Sequence, residues 1–230
     1  MLYSDPFPSQ DSYYTDNYSD YEKQNPAHKI QFYMDLVERW VGKGERIFEL
    51  GVGLGVFLER ATEKFDCQGC DINHYGIETS HNKLPQVPLF EGSYECIPTN
   101  LPPKAVVCWD ILEHLPDLDT ALSSIFSKLP KGGCLIGVVP VYDGPLGWLV
   151  HLLDKDPTHV TKISRKEWLG RLREHGFDVL EYGGIIRKLI GSHYFHFVRP
   201  QIVLKSCGSA LYFVARKPES TRRETFLKIH

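Results

Sequence analysis

The sequence predicts an α/β fold built on a doubly wound sheet, and three observations carry that prediction. Arg46–Leu58 reads as a strand, a glycine-rich turn and the start of a helix. Ala105–Trp109 is apolar without alternation, as in a parallel strand covered on both faces. Short apolar runs alternate with segments of helical period along the chain, the order that produces a parallel sheet with helices on its faces.

Residues 1–24 come first, with Tyr3, Tyr13, Tyr14, Tyr18 and Tyr21 set among Asp5, Asp11, Asp16 and Asp20. Two readings stand side by side: a solvated tail, or a segment that closes over a ligand and excludes water with its aromatics. In the second reading Tyr13, Tyr14 and Tyr18 do the closing. Asn25-Pro26 then opens a helix, with Asn as cap and Pro in the first turn, whose apolar face is Ile30, Tyr33, Met34, Val37 and Val41. Gly42 and Gly44 end it.

Ile47, Phe48 and Leu50 form the first strand. Gly51, Gly53 and Gly55 follow, removing the Cβ atoms that would keep a ligand from the backbone. Leu54, Leu58, Ala61 and Phe65 keep helical spacing after them, so a helix N-terminus with unpaired N–H groups faces the turn. Strand two is Asp66–Asp71, and a third short strand lies within Pro85–Gly92. After strand four, Leu118, Leu122, Ile125, Phe126 and Leu129 mark an amphipathic helix stopped by Pro130 and Gly132-Gly133. Cys134–Val139 is strand five. Ser164-Arg165-Lys166-Glu167 is a capping box opening a helix that buries Trp168, Leu169 and Leu172 and ends at Gly176. Phe177–Tyr182 is strand six and Leu211–Ala215 the last strand. Between them, the aromatic-rich run Ser192–Phe197 either walls a substrate pocket or fills a satellite core.

Composition narrows the function classes. A net charge of −3 gives no basic face for general nucleic-acid binding. No apolar run approaches the ~20 residues of a membrane span, and the acidic, Tyr-rich start does not resemble a signal peptide. A cytoplasmic location is the expectation. The six cysteines show no disulfide framework. Cys67-Gln68-Gly69-Cys70 lacks a second pair of ligands and lies inside strand two, so buried reduced thiols are expected and no metal.

The glycines also speak to the ligand. A dinucleotide fingerprint needs G-x-G-x-x-G, and here Val56 stands in the third glycine's place. Glu49, two residues before Gly51, can face an ammonium group. Asp71, about 20 residues on, sits where a ribose-binding carboxylate ends the second strand. This acid-x-Gly-x-Gly-x-Gly turn with its later acid resembles motif I of the class I S-adenosylmethionine (SAM) dependent methyltransferases. A second match, V-V-C-W-D-I-L-E-H-L-P-D followed by K-L-P-K-G-G-C-L-I-G-V-V-P, is similar to the L-E-H-L and K-P-G-G segments of their small-molecule, type 11-like subgroup.

The resemblance implies a Rossmann-like, seven-stranded sheet in the order 3-2-1-4-5-7-6, the last strand antiparallel, with an N-terminal helical lid. Its domain would span 25–218, between the Tyr-rich segment 1–24 and a charged tail 219–230. Implied binding residues are Glu49, Leu50, Gly51, Gly53 and Gly55 for the methionine part, with Asp71 on the ribose hydroxyls and Ile72, Gly92, Ser93 and Tyr94 about the adenine. Trp109 and Asp110 would stand beside the reacting methyl, with Tyr14 and Tyr18 closing the pocket.

The expected reaction is methyl transfer from SAM to an oxygen, nitrogen or carbon of a small-molecule acceptor, leaving S-adenosylhomocysteine. His159, in D-P-T-H-V, and His114, in L-E-H-L, are the candidate general bases, since histidine titrates in the right range. Trp148, His159, Tyr194 and His196 are the candidate acceptor contacts. Asp110 and Asp143 stand near the places of a catechol-type Mg²⁺ pair, but Gly144 replaces the Asn such a site uses, so metal is again not expected. An RNA substrate and a non-catalytic partner subunit are the alternatives; an NAD(P) oxidoreductase is disfavoured by Val56 and by L-E-H-L.

Overall fold

The computed structural model describes residues 24–144, 147–154, 156–190, 193–198 and 208–219, with only the backbone path at 148, 149, 153, 188–190 and 193–198. Within them the chain runs α1 (Ala27–Val41), β1 (Arg46–Leu50), α2 (Val56–Ala61), β2 (Asp66–Asp71), α3 (His74–Lys83) and β3 (Leu89–Glu91). A 3₁₀ turn follows at Tyr94–Cys96, then β4 (Ala105–Trp109) and a second 3₁₀ turn at Leu112–His114. The remainder is α4 (Leu118–Lys128), β5 (Cys134–Pro140), α5 (Gly147–Leu153), α6 (Arg165–Glu174), β6 (Asp178–Ile190), β7 (His193–Val198) and β8 (Ala210–Arg216).

The strands form one sheet in the order β3-β2-β1-β4-β5-β8-β6-β7. The first five are parallel, and β8 lies antiparallel between β5 and β6. Seven of the eight reproduce the expected 3-2-1-4-5-7-6 order. The eighth, β7, is the aromatic-rich run, which pairs antiparallel with a β6 that runs well past the expected Tyr182. The residues that carry β6 on, Gly183 to Ile185, still pair with β8, so the strand had no reason to stop at Tyr182.

Two apolar layers sandwich the sheet. One holds Ile30, Tyr33, Met34 and Val37 of α1 with Phe57 and Leu58 of α2; the other holds Leu118, Leu122 and Ile125 of α4 with Trp168, Leu169 and Leu172 of α6. β4 and β5 are buried along both faces, which is why they read as unbroken apolar runs. Asn25 does not cap α1: Pro26 is the N-cap residue, and the Asn25 side chain instead accepts from Lys29 Nζ at 3.1 Å. At the other end of α1, Arg39 and Trp40 Nε1 both donate to Glu181 of β6, fixing the helix to the sheet.

The capping box of α6 is present in full. Glu167 N donates to Ser164 Oγ at 3.2 Å, and Ser164 N donates back to Glu167 Oε2 at 2.8 Å. Ser164→Ala removes one half of it and is expected to lower stability by about 1 kcal/mol, read as a shift in the urea midpoint with unchanged slope. Cys67 and Cys70 are buried reduced thiols, both pushed up by burial, Cys67 to about 12. No helix among the described residues is long and apolar enough to cross a membrane.

Candidate active site

Gly51, Gly53 and Gly55 adopt φ values of +82°, +56° and +76°, the left-handed region that favours glycine. Gly51 and Val52 donate to the Cys70 carbonyl at 2.8 and 3.0 Å, fastening the turn to the end of β2. Asp71 lies beneath it: Oδ2 accepts from Gly53 N and Oδ1 from Asn73 N, each at 2.8 Å. Burial nonetheless holds the Asp71 carboxyl above the usual range. Glu49 is 2 % exposed, and its Oε2 has no hydrogen-bond partner among the described residues. Burial first, and the charge of Asp71 second, push Glu49 well above an ordinary carboxyl. A buried, unsatisfied carboxylate at the mouth of a glycine turn costs stability and fits a ligand bearing an ammonium group.

Around this turn the expected residues divide. Leu50 is buried in the core, which leaves only its backbone to a ligand. Ile72 is half exposed beside Asp71, as a residue lying against a flat ring would be. Gly92 N donates to the Asp71 carbonyl at 2.8 Å, bringing Gly92-Ser93 to the end of β2. Tyr94 is committed elsewhere: it packs against the α4 layer, and its carbonyl takes Lys128 Nζ. Trp109 also turns toward a layer, stacking on Tyr33 at 4.0 Å and meeting Phe57 edge-on at 5.2 Å, with Nε1 unpartnered among the described residues.

The loop after β4 closes over the glycine turn. A Cβ at Gly51 would lie 2.1 Å from Ile111 Cδ1, so the absent side chain is what allows the contact. Asp110 has φ +58°, alone among the described non-glycine residues in being positive. Its Oδ2 pairs with Arg187 Nη1 at 2.5 Å. Burial alone would raise Asp110, but Arg187, and then Lys29, hold it below the usual range. Lys29, 6 % exposed on α1, is pulled down by burial to about 8 against the opposing pull of Asp110.

Next come Glu113 and His114, and here the structure joins distant segments. The Glu113 carbonyl accepts from Val160 and Thr161 at 3.1 and 3.0 Å, drawing the Asp156–Val160 loop onto the 3₁₀ turn. The two candidate bases, His114 and His159, thereby come together with ring centroids 4.6 Å apart. His114 Nδ1 faces the Thr158 carbonyl and hydroxyl. His159 Nδ1 faces Asp154 Oδ2 at 3.0 Å, and its Nε2 stands 3.8 Å from Asp156 Oδ2. Asp154 also receives Tyr142 OH and, at 3.0 Å, Lys162 Nζ; these bonds overcome its burial and hold it low. His114 is lowered by burial and by His159. Glu113, fully buried, is pushed well up by burial and by Asp110.

Asp143 is not with Asp110; it is spent on the backbone and guanidinium of Arg165. Tyr14 and Tyr18, with Tyr13, lie outside the described residues. Trp148, Tyr194 and His196 are placed by backbone alone, the last two in β7 opposite Leu189 and Arg187. Sequence reasoning missed Lys29, Arg187, Tyr142 and Asp154. Asp154 stood five residues before His159 in a D-K-D-P-T-H string and could have been found; Arg187, 77 residues from Asp110, carried no local signal.

The profile of a methyltransferase-domain family matches residues 21–182. Among curated proteins no sequence matches the chain. Solved structures share its fold at low identity. A Haloferax volcanii complex of the Trm112 activator with a methyltransferase aligns with TM-score 0.69 and 16 % identity, over 91 % of this chain and 98 % of that one. A Bacillus halodurans C-125 methyltransferase aligns at 0.64 and 16 %, over 84 % and 100 %. A SAM-dependent methyltransferase of Thermotoga maritima aligns at 0.63 and 16 %, over 91 % and 100 %. With the family profile spanning most of the chain and the glycine turn, Glu49 and Asp71 in place, this protein belongs to the class I SAM-dependent methyltransferases.

Proposed function

We propose that the chain transfers the methyl group of SAM to an oxygen or nitrogen nucleophile, or a carbon, of a small-molecule acceptor. The observation that carries this reading is the buried Glu49 carboxyl, unsatisfied at the mouth of the glycine turn and beside Asp71. SAM supplies a methyl already activated on a sulfonium. Glu49 and the backbone of Leu50, Gly51, Gly53 and Gly55 hold the methionine part. Asp71 takes the ribose hydroxyls through lone pairs left over from Gly53 and Asn73, and Ile72, Gly92 and Ser93 border the adenine. Asp110 and Trp109 bound the methyl's side, and His114 and His159 act on the acceptor's proton. What the protein contributes is orientation and exclusion of water, and orientation alone supplies on the order of 7–11 kcal/mol in favourable cases.

Calorimetry tests the reading. SAM and S-adenosylhomocysteine are expected to bind at micromolar concentration and NAD not at all. Asp71→Ala is expected to cost about 2 kcal/mol or more of that affinity, roughly 30-fold in Kd. Absence of SAM binding to the folded protein overturns it. The likeness to a methyltransferase found in complex with Trm112 supports a second reading, in which a small partner protein completes the enzyme; a stable complex on gel filtration with such an activator would favour it.

A further inference from the structure

Glu113 is unexplained by packing. It is 0 % exposed, and neither carboxylate oxygen has a hydrogen-bond partner among the described residues. A buried carboxyl left without any partner is destabilising, and a cation beside it would restore its charge. Its neighbours are histidines: one donor atom each from Glu113, His114 and His159 lie within 4.8 Å of one another. Donors around one cation stand about 3–4 Å apart, given bonds of about 2.0–2.2 Å, so a small inward movement would close the set.

The histidines are also oriented for ligation. The Thr158 carbonyl can only accept, and the Thr158 hydroxyl is already donated to Asp156 Oδ1 at 2.5 Å. His114 Nδ1 is therefore the donor, which leaves the lone pair on Nε2. Asp154 Oδ2 likewise takes the proton of His159 Nδ1 at 3.0 Å and leaves Nε2 with the lone pair. A backbone carbonyl behind one histidine and a carboxylate behind the other are the outer partners that metal-binding histidines have. Asp154 is fixed in turn by Tyr142 and Lys162. An unpartnered carboxylate and two imidazoles of set tautomer, brought together from two loops, make a donor set with open positions.

We infer that Glu113, His114 and His159 bind a divalent first-row transition cation. The site directly follows Ile111, which closes on Gly51 of the cofactor turn, so the three donors stand near the glycine turn in the chain. For its role the inference rests on the methyltransferase reading: a coordinated acceptor hydroxyl loses its proton to water at neutral pH, and the oxygen becomes the nucleophile. The histidines then act on the acceptor's proton through the cation they hold. An oxygen acceptor is the substrate class this assigns.

The test uses the full chain, stripped with chelator and titrated calorimetrically with Zn²⁺, Mn²⁺ and Mg²⁺ alone. One equivalent of Zn²⁺ or Mn²⁺ is expected to bind at micromolar concentration or tighter. Asp154→Asn is expected to weaken it by roughly 10–100-fold, as when a histidine's outer partner is lost, and Glu113→Gln by at least as much. Co²⁺ added to the unaltered protein gives a readout that needs no variant: visible absorption unlike that of the hydrated ion, without a thiolate charge-transfer band. No uptake of any cation, or uptake indifferent to both substitutions in folded variants, overturns the inference. SAM titrated separately keeps the two failures apart, since binding of SAM without metal removes only the cation site. Metal without SAM leaves the site and removes the methyl-transfer reading.

Discussion

Glu49→Gln is expected to weaken SAM binding roughly 10- to 150-fold, the effect of losing about 1.5–3 kcal/mol from a charge-assisted contact with the cofactor's ammonium. The same substitution is expected to help the empty protein as pH rises. Glu49 is an acid whose folded pKa lies above its unfolded value, because burial and Asp71 oppose its charge. Below about pH 4, where it is protonated folded and unfolded alike, it adds no pH-dependent cost. As pH rises, the unfolded chain ionises first and the native state is penalised. Glutamine never ionises, so the stability difference, variant minus wild type, should move in the variant's favour from pH 4 to 8 in urea denaturation. A flat difference would show that the carboxyl is not strained in the empty site. The two halves together separate a residue kept for ligand binding from one kept for the fold.

Trp168→Ala carries the largest expected loss of stability. Trp168 is wholly buried on α6 against the β5–β8 side of the sheet, and its Nε1–H donates to the Pro140 carbonyl at 3.1 Å. Truncation removes the apolar contact, leaves a cavity and orphans that carbonyl, a change that costs about 3–5 kcal/mol. In a chain of this size each kcal/mol shifts Tm by roughly 2–4 °C, so a fall of on the order of 10 °C is expected. Trp168→Phe keeps most of the volume and loses the hydrogen bond, and should cost about 1 kcal/mol beyond the lost ring. A small effect of Trp168→Ala would mean that α6 collapses into the gap.

Much of the fold was legible because local pattern and tertiary role agree. β4, buried on both faces, reads as an apolar run, and the capping box of α6 is written in four letters. The glycine turn itself was legible for the same reason: glycines at positive φ and an acid ending β2 are sequence-local requirements. Tyr94 and Trp109 show where the sequence is silent: an aromatic after a strand packs against a core layer as readily as it meets a ligand, and both are partly buried against one here. Glu113 gave no such local signal. In an L-E-H-L string it reads as an ordinary helix-start acid, and only a loop some 45 residues away reveals that its carboxylate faces two imidazoles.

α1 is fastened to the sheet side of the molecule at both of its ends. Lys29 Nζ donates to the carbonyl of Gln24, and Lys29 is close enough to Asp110 for their charges to act on each other. The far end of the helix is pinned through Arg39 and Trp40 to Glu181. The helix is thus held at both ends, beside the loop after β4 at one and on β6 at the other.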